Sequence, residues 1–272
     1  MTDTKMSGPK DPIGRDVAMN EKGVMSADTV IGSGRPGNLA QLDMRLLDPP
    51  YDSPGYRSTT LRAPTHPPLV LPPGPSDAFG PVFGEGAVGP RDHDLTCQHD
   101  GQPQGQRISI EGRLLDTSGR PIAGQLLEVW QANAAGRYRH AVDNHPAPID
   151  PNFTGYGRCL TDGDGRYRFV TIRPGSYPWN NHPNAWRPAH VHFSVFGRAF
   201  TDRLVTQMYF PDDPLIPYDT IFNAVTGPEA RASMMAAFDL QRTEPQRTLG
   251  YRFDIVVGGP AVDAATHGGG LW

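Results

Sequence analysis

Two cysteines, Cys97 and Cys159, are too few for a disulfide framework and too far apart for a Cys-x-x-Cys metal knuckle. Free thiols in a reducing compartment are expected. No apolar run approaches the ~20 residues that cross a bilayer, and the opening MTDTKMSGPKDPIG has no apolar stretch of the kind a secretory signal requires. A cytoplasmic setting is the expectation. Neither sign of charge prevails: 25 Lys and Arg against 29 Asp and Glu leave a formal charge of −4. That balance gives no reason to expect nucleic acid or an acidic membrane surface as a partner. No internal repeat is visible.

Glycine and proline are plentiful instead, at 31 and 29 residues, more than a fifth of the chain together. Scattered between short apolar runs they favour a turn-rich β architecture, and clustered they mark loops. Both patterns occur here. Residues 1–40 are polar, Gly-rich and aperiodic, which predicts a disordered N-terminal arm. Residues 41–90 are so rich in proline that neither ladders nor helices are expected; this segment should be extended and laid over its own surface or a partner's. From about 105 the texture changes. QRISIEGRLLD, GQLLEVWQA, RYRFVTI, AHVHFSVF, LVTQMYF and YRFDIVV read as six strands, separated by turns such as DTSGRP. The prediction is all-β: an antiparallel β-sandwich over 91–260, with a long irregular N-terminal arm and one or two short helices. Pro228 suits the first position of a helix continuing through EARASMMAAFDL, and 261–272 should be a flexible tail.

Chemistry concentrates in RPAHVHF, residues 187–193. Side chains alternate along a strand, so His190 and His192 share one face, as two metal ligands or as two packed imidazoles. FSVFGR, which follows, lacks the glutamate that a cupin site wants. The facial triad of Fe(II) oxygenases needs a carboxylate in the set, and position 192 is histidine. A three-histidine zinc site would have to draw on His267 in the glycine-rich tail. Two tyrosines stand in loop-like contexts at strand ends, Tyr138 in ANAAGRYRH and Tyr177 in RPGSYPWNN. Each can simply pack its ring, but two phenolates with two imidazoles make a coherent donor set for a hard trivalent cation such as Fe(III). Arg187 is held extended by Pro188, either near such a metal or ion-paired at the surface. Gln207, polar within an apolar strand, is a structural hydrogen-bonder or a group lining the site. DGDG at 162–165 lacks the further ligands of a calcium loop and reads as a hairpin turn.

With these residues in hand, the chain resembles the intradiol ring-cleaving dioxygenases. The resemblance runs from DHDL at 92–95 to YRFDIVV near 257 and rests on LLEVWQANAAGRYRH, DPNFTGYGRCLTDGDGRYRF, RPGSYPWNN, WRPAHVHF and TQMYFPDDPLIP. RPAHVHF is shared with the catechol and hydroxyquinol branches, whereas GRYRH, PGSYPW and DPNF…GRCLTD are similar to the iron-bearing beta chains of the protocatechuate branch. The resemblance implies Fe(III), one per chain, held by Tyr138, Tyr177, His190 and His192, with Tyr177 in the axial position that substrate displaces. It implies that Arg187 faces the substrate ring, that Gln207 and Trp179 line the pocket, that Tyr56 meets a substrate carboxylate and that Ile221 forms an apolar wall. The implied reaction is cleavage of protocatechuate by O2 to 3-carboxy-cis,cis-muconate, with an iron-free alpha-type chain as partner. Hydroxyquinol or catechol is the alternative substrate. GRLLDTSGRPIAGQLLEVW and TDGDGRYRFVTIRPG also resemble non-catalytic transthyretin-like modules, which have no use for the four proposed ligands.

Overall fold

A computed structural model describes residues 52, 59–66, 88–181, 183–196, 203–225 and 227–257, all within one compact unit spanning 49–69 and 73–272. The expected arm over 1–40, the tail over 261–272, most of 41–90 and Tyr56 lie outside the described residues.

Strand β1 (Arg107–Asp116) organises the first sheet. Along one edge it pairs antiparallel with β4 (Arg166–Ile172). Along the other it pairs parallel with β10 (Leu249–Arg252) and then β11 (Ile255–Val257), and β9 (Ala237–Phe238) flanks β10. The second sheet is antiparallel throughout, in the order β3 (Tyr156–Leu160), β2 (Leu126–Trp130), β7 (His190–Phe196), β8 (Arg203–Tyr209). A two-residue ladder, β5 (Tyr177–Pro178) with β6 (Trp186–Arg187), stands apart from both.

Period-two alternation explains how the two sheets meet. Leu127 and Val129 of β2, Val191, Phe193 and Val195 of β7, and Met208 of β8 join Ile108, Ile110 and Leu114 of β1 and Phe169 of β4 in one buried core. Burying one such side chain contributes about 1.5–3 kcal/mol. Phe193 lies at the centre, its ring 5.2 Å from Phe253, 5.8 Å from Tyr167 and 6.0 Å from Phe169, centroid to centroid. A sandwich with this alternation is what the sequence predicts.

Several local expectations are corrected. YRFDIVV is two strands, because the Asp254 carboxylate, rather than a main-chain carbonyl, accepts the Arg113 amide (3.0 Å) and interrupts the ladder. Both pieces run parallel to β1, so the first sheet is mixed. A further strand, β3, was not expected. Its inward positions are Gly157 and Cys159, and a side chain at Gly157 would lie 2.5 Å from Leu95 Cδ1, so nothing large can mark the inner face. The helix at Pro228 is short: α3 (Pro228–Ser233) stops because Met234 and Ala236 bond the main chain of Tyr209 instead. Among the described residues two other short helices exist, α2 (Thr220–Ala224) and α1 (Thr59–Arg62), with 3-10 turns at Ile216–Tyr218 and Leu240–Arg242. Helix α1 interrupts the segment expected to be extended, at the proline-free TTLR, with Thr59 donating to Asp52 (3.2 Å). The DGDG turn is tight, Asp162 Oδ1 accepting from the amides of Asp164 and Arg166, but it joins β3 and β4 of different sheets and is a corner rather than a hairpin. Cys97 is exposed and Cys159 buried, and both are free. Among the described residues no helix is long and apolar enough to cross a membrane.

Candidate active site

The even positions of β7 point away from the core. His190 and His192 therefore share the outer face of the second sheet, opposite Tyr209 and Gln207 on β8, and Trp130 of β2 is opposite His192. Trp130 stacks on the His192 ring, centroids 4.7 Å apart and planes within 3°. His190 is buried, and its Nδ1 lies 2.7 Å from the Pro188 carbonyl. A carbonyl only accepts, so Nδ1 carries the proton and Nε2 presents its lone pair. That Nε2 lies 3.2 Å from His192 Nε2 and 3.3 Å from Tyr177 Oη. Burial, reinforced by the Arg187 charge, holds His190 well below the usual histidine range and brings His192 down to about 4, so both imidazoles are neutral at physiological pH.

Tyr177 enters from β5, where it pairs with Arg187 of β6. Tyr138 arrives on the loop after β2. Asn133, buried, folds that loop by accepting from the amides of Ala135 and Arg137, and Asp143 Oδ2 accepts the amide of Tyr138 itself (2.8 Å). Gly136 adopts φ +78°, and a β-carbon there would sit 2.1 Å from the Ser176 carbonyl, so only glycine lets this loop lie against the one carrying Tyr177. The two tyrosine rings meet edge to face, 5.4 Å between centroids. The Tyr138 hydroxyl is buried without a hydrogen-bond partner. Burial raises both phenols, and for Tyr138 the neighbouring Tyr177 raises it further. Without a nearby cation neither ionises at neutral pH.

Arg187 is itself buried. Its Nε lies 3.0 Å from Asp219 Oδ1, while Nη2 donates to Gln207 Oε1 (2.5 Å), Tyr209 Oη (3.2 Å) and Asp219 Oδ2 (3.3 Å). Its guanidinium carbon lies 5.4 Å from the centre of the Trp179 ring. A cleft of about 680 Å³ opens over Tyr138 and Tyr177, walled by Trp130, Trp179, His145 and Asn180. That is large enough for a single-ring aromatic molecule.

Four side chains can hold a metal here: two neutral imidazoles with converging Nε2 atoms and two phenols beside them. Among the described residues there is no group of three or more His, Cys, Asp or Glu that could hold one. The donor set fits a hard trivalent cation, which would stabilise both phenolates and give the orphaned Tyr138 oxygen a partner. Tyr138, Tyr177, His190 and His192 thus come together; Arg187, Gln207 and Trp179 lie beside them. Ile221 sits in α2, and its amide bonds Asp219 Oδ1 (3.2 Å).

Comparison with known proteins identifies the family of the chain. Residues 78–259 match the family described as dioxygenase, and residues 49–74 match the protocatechuate 3,4-dioxygenase beta subunit N-terminal family. The chain is 56% identical over 213 residues to a protocatechuate 3,4-dioxygenase beta chain of Burkholderia cepacia, covering 78% of this chain and 90% of that one. The chain belongs to the intradiol ring-cleaving dioxygenases. This dioxygenase is also 37% identical to a hydroxyquinol 1,2-dioxygenase of Rhizobium sp. over 52% of this chain and 47% of that one. It is 29% identical to a protocatechuate 3,4-dioxygenase alpha chain of Pseudomonas putida over 70% of this chain and 94% of that one.

Three residues of the candidate site are not singled out by the sequence. Trp130 and Tyr209 read as ordinary strand aromatics, although each lies at the period-two spacing that faces the histidines. Asp219 is not singled out by the sequence at all: the structure places it as the cap of α2, and nothing local in the sequence points to Arg187.

Proposed function

We propose that the chain is a ferric intradiol dioxygenase that cleaves protocatechuate with O2 to 3-carboxy-cis,cis-muconate. The observation that carries this reading is that His192 Nε2 and Tyr177 Oη both lie within 3.3 Å of His190 Nε2, beside a buried Tyr138 hydroxyl that has no partner. Tyr138, Tyr177, His190 and His192 would hold the iron. Fe(III), when bound, would be chelated by the two catechol oxygens and would make the ring reactive toward O2.

The chain's own groups do the rest. Tyr177 Oη accepts one hydroxyl proton of the incoming catechol, acting as a base at the rim of the cleft. Trp130 stacks on His192 and keeps that ring in one plane. Arg187 holds a fixed positive charge beside the substrate ring, where negative charge develops as O2 adds. Gln207 orients Arg187, and Trp179 and Ile221 limit how the ring can lie. Tyr56 would meet the carboxylate that distinguishes protocatechuate from catechol. The ring opens between its two hydroxyl-bearing carbons, and both atoms of O2 enter the product. Residues 91–260 are the catalytic domain, working in the cytoplasm. The likeness to an alpha chain over most of its length supports a partner of that type, with residues 41–90 wrapping it.

The visible spectrum and iron content of the purified protein test this directly. Tyrosinate-to-iron charge transfer should colour it red, and Tyr138→Phe or Tyr177→Phe should each shift the band. An iron-loaded, colourless protein refutes the two tyrosines as ligands. Oxygen uptake should be far faster with protocatechuate than with catechol or hydroxyquinol; a preference for hydroxyquinol would reassign the substrate and leave the iron chemistry in place.

A further inference from the structure

Arg187 carries its charge where almost no water reaches it, its side chain only 4% exposed. A buried guanidinium needs a counter-charge, or it costs several kcal/mol. Asp219 supplies it: Oδ1 lies 3.0 Å from Nε, which makes no hydrogen bond of its own, Oδ2 accepts from Nη2 at 3.3 Å, and the carboxylate side chain is wholly buried. The same carboxylate makes two further bonds. Oδ1 accepts the amide of Ile221 (3.2 Å), capping α2, and Oδ2 lies 3.0 Å from Tyr209 Oη. Tyr209 in turn is 2.6 Å from Gln207 Oε1, which also accepts from Arg187. A phenol has one proton, so Tyr209 donates to one of these two oxygens at a time and accepts from Arg187.

We propose that Asp219 is a positioning residue for ring cleavage: it fixes the Arg187 guanidinium beside the cleft and, through the cap of α2, ties that charge to the wall residue Ile221. This rests on the reading of Arg187 as the cation that faces the substrate. Capping alone does not explain the arrangement, because an aspartate caps a helix equally well at the surface, where its charge costs nothing to hydrate. Burial makes sense for a carboxylate whose partner is also buried. The ion pair, together with Gln207 and Tyr209 accepting from the same Nη2, restricts the rotational freedom that a long arginine side chain would otherwise keep, and it does so before substrate arrives.

A double-mutant cycle over Asp219→Asn and Arg187→Ala tests the proposal. Asparagine keeps an oxygen for the Ile221 amide and removes only the charge. In thermal unfolding of the metal-free protein, Asp219→Asn should lower the midpoint of the parent. In the Arg187→Ala background it should raise the midpoint, on the order of 5–10 °C, because an unpaired buried carboxylate is thereby removed. If Arg187→Ala does not fold, recovery of folded protein in the double variant is the same result. An equal loss in both backgrounds would reduce Asp219 to a helix cap and overturn the proposal.

Kinetics with protocatechuate supply the second readout, at matched iron content. Asp219→Asn should lower kcat about 10–100-fold with KM changed less than about threefold, and should slow the Arg187→Ala enzyme no further. Losses that multiply would assign Asp219 an effect independent of Arg187 and contradict the inference. If the parent cleaves no catechol at all, the ferric reading fails, while the unfolding cycle still decides whether Asp219 and Arg187 act as one unit.

Discussion

Strand β7 serves two regions at once. Its odd positions, Val191, Phe193 and Val195, are closed into the core between the sheets, and its even positions, His190, His192 and Ser194, lie on the outer face, where the two histidines belong to the candidate site. The first region is apolar and insensitive to chemistry. The second is polar and buried by loops rather than by a second sheet. The difference teaches that burial alone does not separate stability from function here, since His190 and Phe193 are both nearly inaccessible. What separates them is which side of one strand they occupy.

Substitutions along the strand can break or sharpen that division. His192→Ala should have the largest effect, losing the iron and at least about a thousandfold of activity, because the metal's contribution goes with its ligand. Metal analysis and oxygen uptake report this, and denaturant unfolding of the metal-free protein should move by no more than about 1 kcal/mol. Phe193→Ala should do the reverse. It removes a ring packed by Tyr167, Phe169 and Phe253 and should cost about 3–5 kcal/mol of stability. Iron per folded molecule should stay unchanged; a lower ratio would mean the two faces cannot be treated apart. Gln207→Ala lies across from His192 and takes an acceptor from Arg187, so kcat/KM should fall about tenfold while iron and colour persist. Ser194→Ala should be the smallest change. It loses only the bond from Arg203 Nε (2.6 Å), under about 1 kcal/mol in unfolding, with no effect on the spectrum.

The same alternation decided how much could be read from the sequence. HVHFSVF declares its two faces in period two up to its last residue, and β1, β2 and β4 do so nearly as well, whereas LVTQMYF is legible as a strand from its apolar content rather than from alternation. YGRCL does not, because glycine and cysteine form its inner face and arginine its outer one. The YRFDIVV run was legible as β but not as two strands, since the interruption comes from an aspartate side chain acting in place of the main chain. Within the site, spacing brought His190 and His192 to one face, while Tyr138 and Tyr177 were singled out by chemistry and by resemblance. Asp219 stayed hidden for a plain reason: its meaning depends on a guanidinium 32 residues away, and no local pattern reports that distance.

The parallel pairing of β1 with β10 and β11 has a consequence for how the protein is made. The amide of Arg113 waits for the carboxylate of Asp254, 141 residues later in the chain. The strands that carry His190, His192, Gln207 and Trp130 all precede those last partners, so the ligand-bearing sheet can be complete in a nascent chain whose other sheet still has an open edge along β1. Contacts of such long range form slowly, and an unpaired edge in the interval invites pairing with the wrong neighbour. Truncation just before Leu249 would therefore leave every proposed iron ligand in the polypeptide and still yield a chain that aggregates.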